Sequence, residues 1–163
     1  MKTFLIIALL FFVINTDAQT VRSIKITELT DTIRNSKTPL IVNFWASFCV
    51  PCLEEIPYFQ ELAKKYEPQG VSLLLVSLDL KKSYPDTIIA SVRKHKILAP
   101  VVWLNEDNAD YFCPKIDSVW LGNMPSSLFV NNTTGWYKFF DEQLSKEKLE
   151  QQIQAMLKPK QNN

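Results

Sequence analysis

One histidine and three cysteines are all the imidazole and thiol ligands that this 163-residue chain offers to a metal. A zinc site begun by a close cysteine pair needs two further ligands. Only Cys113 and His95 remain, far from each other and out of ligand spacing. Charge of one sign is also missing: 18 Lys and Arg oppose 17 Asp and Glu, a net charge of +1. No basic patch carries interleaved aromatics, which argues against a nucleic-acid partner. No apolar run reaches the roughly 20 residues of a membrane-spanning helix. The longest, Phe4 to Ile14, has eleven residues. No internal repeat or low-complexity tract interrupts the chain.

That apolar run has a different use. Lys2 precedes it, and Thr16-Asp17-Ala18 follows with small residues at −3 and −1. Residues 1–18 thus read as a secretory signal peptide, cleaved before Gln19. An uncleaved N-terminal anchor is the alternative, and it also leaves the domain outside the cytoplasm. No cysteine follows the run, so a lipid anchor is not indicated. The remaining residues, 19–158, number enough for one domain with a real core. Residues 159–163 are a polar tail.

Periodicity and turn residues predict an α/β fold, a central mixed β-sheet flanked by helices. Ser23–Thr27 reads as a strand and Glu28–Ser36 as a short helix with Leu29 and Ile33 on one face. Leu40–Ala46 is apolar on both faces, as a covered parallel strand requires. A helix is expected from Val50 to Glu67, with Pro57 inside it. Val71–Leu78 is a second buried strand. Ser83–Lys96 reads as a helix with Ser83 as N-cap and Pro85 near its first position. Val101–Leu104 is a short strand. Ser127–Val130 and Trp136–Phe140 form a hairpin about a turn at 131–135. Ser145 caps a last helix to Leu157, with Leu149, Ile153, Met156 and Leu157 as its buried stripe.

The chemistry concentrates at Trp45-Ala46-Ser47-Phe48-Cys49-Val50-Pro51-Cys52. Two cysteines two residues apart, where a buried strand turns into a helix, suit a thiol–disulfide redox centre. At a helix N-terminus the unpaired N–H groups and the dipole favour a thiolate. Cys49 is therefore expected to attack, and Cys52, one turn inside, to resolve the mixed disulfide. Pro51 suits a first turn, where its missing N–H costs little. A purely structural disulfide is the competing reading for an exported protein.

This segment resembles the active site of the thioredoxin superfamily. Its continuation Leu53-Glu54-Glu55-Ile56-Pro57, with Asn43 two residues before Trp45, is similar to the exported TlpA/ResA-like branch, related to the redoxin and AhpC/TSA proteins. The element order then matches a thioredoxin-like fold with an N-terminal strand and helix added. The resemblance implies that Pro125, in Gly122-Asn123-Met124-Pro125-Ser126, is a cis-proline beside the redox pair. It implies that the Met124 backbone receives an extended substrate segment, and that Trp45 covers the disulfide and shapes the partner surface with Pro51. Glu55 is implied as a proton shuttle beneath the cysteines; a solvated surface Glu is the plain alternative. No segment has room for the large helical insertion of DsbA-like oxidases; the one stretch of extra length is 105–124.

The function expected is an exported, periplasmic protein-disulfide reductase. The resemblance implies work in cytochrome c maturation or copper-site assembly, with electrons from a membrane thiol donor. No cofactor is expected beyond the Cys49–Cys52 disulfide, and a monomer is expected. A general oxidase or isomerase is the alternative. A Sco-like copper chaperone fits less well, because that family resembles Cys-x-x-x-Cys with a distant His. A redox-silent binding module is the third rival. Cys113 is read as a buried, inert thiol, His95 as solvent-facing between two lysines, and the sequons at Asn131 and Asn132 as irrelevant to a bacterial chain.

Overall fold

A computed structural model describes residues 20–159. The signal-peptide reading over 1–18 and the tail beyond Pro159 lie outside the described residues.

Six strands form one sheet in the order β1-β4-β3-β2-β5-β6. They are β1 (Arg22–Ile24), β2 (Leu40–Trp45), β3 (Ser72–Ser77), β4 (Val101–Leu104), β5 (Ser126–Asn131) and β6 (Trp136–Phe140). β1, β4, β3 and β2 run parallel; β5 runs antiparallel to β2, and β6 antiparallel to β5, back in the first direction. The helices are α1 (Ile26–Asn35), α2 (Val50–Tyr66), α3 (Asp86–Lys94), α4 (Ala109–Ile116) and α5 (Lys146–Leu157).

Side chains on a strand alternate between faces, and here both faces are covered. From β2, Ile41 and Trp45 join α2, α3 and α5 in one apolar cluster. Leu40, Val42 and Phe44 face the other way, onto α1 and α4. This is why Leu40–Trp45 is apolar throughout. Asn43 is the exception: it is fully buried and points toward α2 with Ile41 and Trp45.

Two helix starts differ from expectation. The first helix starts at Ile26, earlier than Glu28, because the Glu106 carboxylate accepts the Ile26 N–H at 2.9 Å from across the fold. The third helix starts at Asp86, so Ser83 is not its cap and Pro85 occupies the N-cap position. Residues Lys81–Ser83 instead make a separate 3-10 turn. Tyr84 precedes Pro85, which disfavours helical backbone there, and its ring stacks on Trp103 with centroids 4.3 Å apart. The stretch 105–124 also contains a helix, α4. Asn108 caps it by accepting the Asp110 N–H at 2.9 Å, and it buries Phe112, Cys113 and Ile116. Pro114 within it hides the helical pattern from sequence reading.

Candidate active site

The strand directions bring the site together. β2 and β3 end at the same edge of the sheet, and antiparallel β5 begins there. The Cys49 turn, the loop after β3 and the Met124–Pro125 loop therefore meet.

Cys49 is the N-cap of α2, and its sulfur accepts the Cys52 N–H at 3.4 Å. Cys49 and Cys52 are disulfide-bonded, with Cα atoms 5.3 Å apart. Cys49 keeps 8 % exposure, whereas Cys52 has none. Of the two cysteines, only Cys49 thus keeps any solvent exposure. On reduction, the N–H aimed at it and the positive end of α2 favour its thiolate over that of Cys52.

Below the pair, Glu55 has no solvent exposure. Its Oε1 accepts from Asn43 Nδ2 at 2.7 Å and its Oε2 from the Leu144 N–H at 2.9 Å. Asn43 Nδ2 also donates to Ser127 Oγ at 3.0 Å, across the β2–β5 pairing that sets Asn43 opposite Ser127. Burial pushes the Glu55 carboxyl up from 4.5 to about 7; the bonds from Leu144 and Asn43 pull it partly back. Asn43 Oδ1 is buried without a partner. The pocket thus holds a carboxyl that titrates near neutrality, one helical turn from Cys52.

The Met124–Pro125 bond is cis. Its loop is braced from the far side of the sheet by Trp120, which packs on Phe44 at 4.4 Å and Phe112 at 5.8 Å. The Asn123 carbonyl accepts from Trp120 Nε1 at 3.0 Å and Ser126 Oγ at 2.6 Å. Gly122 takes φ +92°, with Cys113 Sγ 3.7 Å from where a Cβ would stand. The extra length before Pro125 therefore supports this loop. Met124 is half-buried and Pro51 exposed. Phe48, Val50, Leu80 and Leu121, from the same three loops, leave most of their apolar surface in solvent.

Trp45 departs from expectation. It packs in the cluster that contains both cysteines, but it is fully buried, so it supports the site from below and offers no partner surface. The outward aromatic of the segment is Phe48, 62 % exposed. Sequence reading also missed Asp79. This buried residue, just beyond β3, accepts from the Ser47 N–H at 2.9 Å, the Ser47 hydroxyl, and the Ser77 hydroxyl at 2.8 Å. The available signal was a carboxylate closing an apolar strand, in Val76-Ser77-Leu78-Asp79.

Cys113 is buried, unpaired and among the apolar side chains of the opposite face, away from the cluster that holds Cys49. Burial pushes its thiol up to about 11, with Asp110 adding to the effect. His95 is half-buried at the end of α3. The amides of both sequon asparagines serve the fold. Asn131 donates to the Met156 carbonyl at 2.9 Å, and Asn132 reaches the Ile33, Arg34 and Ser36 carbonyls at about 3 Å. Among the described residues, no three His, Cys, Asp or Glu side chains gather as a metal site.

The model of the AhpC/TSA family matches residues 12–109. The thiol-disulfide oxidoreductase ResA of Oceanobacillus iheyensis is 48% identical over 40 residues, 24% of this chain and 21% of that protein. ResA of Geobacillus thermodenitrificans is 24% identical over 117 residues, 72% of this chain and 62% of that protein. The chain thus spans less than two thirds of these curated relatives. A Chlorobium tepidum structure named for thiol:disulfide interchange protein DsbE superposes with TM-score 0.61 at 25% identity, over 80% of this chain and 85% of that one. StoA from Bacillus subtilis shares the fold, with TM-score 0.54 at 23% identity, over 74% and 86% of the two chains. With its family model matched across β2, α2 and β3, and its Cys-x-x-Cys turn set on a thioredoxin-like sheet, the chain belongs to the AhpC/TSA family, among the TlpA/ResA-like members of the thioredoxin superfamily.

Proposed function

We propose that this protein is an exported thiol–disulfide oxidoreductase that reduces disulfides in other proteins. The observation that carries the reading is the Cys49–Cys52 pair at the start of α2, Cys49 with 8 % exposure and Cys52 with none, above a carboxyl titrating near 7. The Cys49 thiolate attacks one sulfur of a substrate disulfide. A mixed disulfide forms and one substrate thiolate leaves. Cys52 then attacks Cys49, the second substrate thiolate leaves, and two electrons have passed to the substrate. Cys52 must shed its proton to attack, and Glu55 is the group placed to take it. Reduction of the protein's own disulfide runs the same path backward, with Glu55 returning the proton.

The partner is a polypeptide. Its segment lies against the Met124 backbone beside Pro125, with Phe48, Val50, Leu80 and Leu121 as apolar flanks. Trp45 holds this surface from below, and Pro51 lies at its edge. The domain works as a monomer in the periplasm, after removal of residues 1–18, and draws electrons from a membrane thiol donor. Apocytochrome c and copper-site cysteines are the client classes that the resemblance favours.

The test is the equilibrium reduction potential of the pair, measured by thiol trapping and mass spectrometry across glutathione and dithiothreitol buffers. A value well below about −200 mV supports the reductase; a value near −120 mV identifies an oxidase and overturns the direction proposed.

A further inference from the structure

We infer that Asp79 is a positioning residue for the nucleophile, setting the Cys49 turn through Ser47; this rests on the oxidoreductase reading above. Asp79 has 4 % exposure, and a carboxylate so placed needs partners. Its partners are neutral. Oδ2 accepts from the Ser47 N–H at 2.9 Å and from Ser77 Oγ at 2.8 Å, and Oδ1 accepts from Ser47 Oγ. Among the described residues no cation is paired with it. This is not an ion pair that stabilises two surface elements; all its bonds go to the end of β3 and to the turn that carries the redox pair.

The carboxylate is itself held on both sides. The Asp79 N–H donates to Ser77 Oγ at 3.1 Å. The Asp79 carbonyl accepts from Trp103 Nε1 at 2.7 Å, and the Trp103 ring is stacked by Tyr84. Trp45, Ser77 and Trp103 lie side by side across β2, β3 and β4. Leu78 N–H extends that pairing to the Trp45 carbonyl at 2.8 Å. Asp79 is thus fixed by the parallel sheet and reaches back over it. What it grips is the first residue of the turn after Ala46. That turn is closed by the Cys49 N–H on the Ala46 carbonyl at 3.0 Å, and it leads directly into the Cys52 N–H contact on Cys49 Sγ. Among the described residues neither Ser47 group has another acceptor. Releasing Ser47 frees the turn, and with it the alignment of the helix N–H that stabilises the Cys49 thiolate.

Two effects of removing Asp79 have opposite signs, so they can be separated. Losing its bonds loosens the N–H contact on Cys49 and moves the thiol's apparent pKa up. Losing only a nearby negative charge moves it down. Asp79→Asn keeps the bonds: its oxygen serves the Ser47 N–H and Ser77, and its NH2 donates to Ser47 Oγ, which can accept. Asp79→Ala removes them.

The experiment follows reduced full-length protein reacting with oxidised glutathione by stopped flow from pH 5 to 9. Urea unfolding of each variant is measured alongside. Asp79→Ala is expected to react at least tenfold more slowly at pH 7, with its rate profile displaced to higher pH. Asp79→Asn stays within about twofold of the parent, and Ser47→Ala, which loses one bond, falls between. An Asp79→Ala protein that is less stable but exchanges at the parent rate overturns the inference. So does an Asp79→Asn protein that matches Asp79→Ala, or a profile displaced to lower pH. If Asp79→Ala does not fold, a parent-like rate for Ser47→Ala overturns it alone. Failure of the parent protein to exchange at all removes the oxidoreductase reading instead, a different result from these.

Discussion

Replacing Glu55 by Gln tests the buried carboxyl through the stability of the oxidised protein, independent of any substrate. The side chain keeps its shape and loses its charge. Its amide oxygen can still accept the Leu144 N–H. Its NH2 then needs an acceptor, and Asn43 has one idle: rotating the Asn43 amide turns the unpartnered Oδ1 toward position 55. The substitution is therefore expected to fold. In the native protein the carboxyl sits near 7 against 4.5 when unfolded. Below pH 4.5 both states hold the proton. Between 4.5 and about 7 the unfolded chain gives it up while the folded protein retains it, so the folded state loses ground as pH rises. Above 7 both are ionised and the loss is complete. At about 1.4 kcal/mol per pH unit, that interval corresponds to about 3 kcal/mol. Urea unfolding of parent and Glu55→Gln, both oxidised, at half-unit steps from pH 4 to 8.5 gives the difference directly. The parent should lose about 3 kcal/mol relative to the variant across this range, all of it between roughly pH 4.5 and 7. Curves that run parallel throughout would refute the argument. A parent that gains relative to Gln with rising pH would mean that the bonds from Asn43 and Leu144 outweigh burial.

Cys113, raised to about 11, should resist iodoacetamide at pH 8 in the reduced native protein while Cys49 is alkylated, and react only after urea is added; peptide mass mapping reads both. Ile153→Ala, at a fully buried position of α5, should cost about 2–5 kcal/mol in unfolding free energy without altering exchange with oxidised glutathione. Ser145→Ala removes the hydroxyl that accepts the Lys148 N–H and should cost about 1 kcal/mol by the same urea measurement. Gly122→Ala places a Cβ on a backbone at φ +92°; it should destabilise by about 1 kcal/mol or more and slow reaction with a protein disulfide more than with glutathione disulfide.

What was legible in the sequence was mostly what is local. Asn43, Cys49, Cys52 and Glu55 fall within one strand, one turn and the start of one helix; spacing marked the two cysteines, and the resemblance of that short segment pointed to Asn43 and Glu55. Ser145 marked the last helix because a cap acts on its own first turn. The partners that tune Glu55 were out of reach. Ser127 meets Asn43 only through strand register, and Leu144 offers a backbone N–H that any residue could supply. Asp79 was missed for a related reason: its bonds run to a turn 32 residues earlier. Trp45 was expected to cover the disulfide and shape the partner surface, a role compatible with a core aromatic. The two-residue period of β2 sends it inward with Ile41, while Phe48, past the strand's end, is free to face out. Helix α4 and the start of α3 were misread at Pro114 and Pro85, whose effect on a helix a hydrophobic pattern does not show.

The bond from Leu144 to Glu55 spans 89 residues of chain. During synthesis residues emerge in order, so both cysteines appear long before the groups that discipline them. A chain extended only as far as α2 has two ordinary thiols and an ordinary carboxyl in water. Pro125 and Ser127 come next, and the Leu144 N–H last, just ahead of the helix that seals the pocket. The reactive motif is thus present from early in the chain's life, but its chemistry is switched on only when the segment that begins at Leu144 has docked.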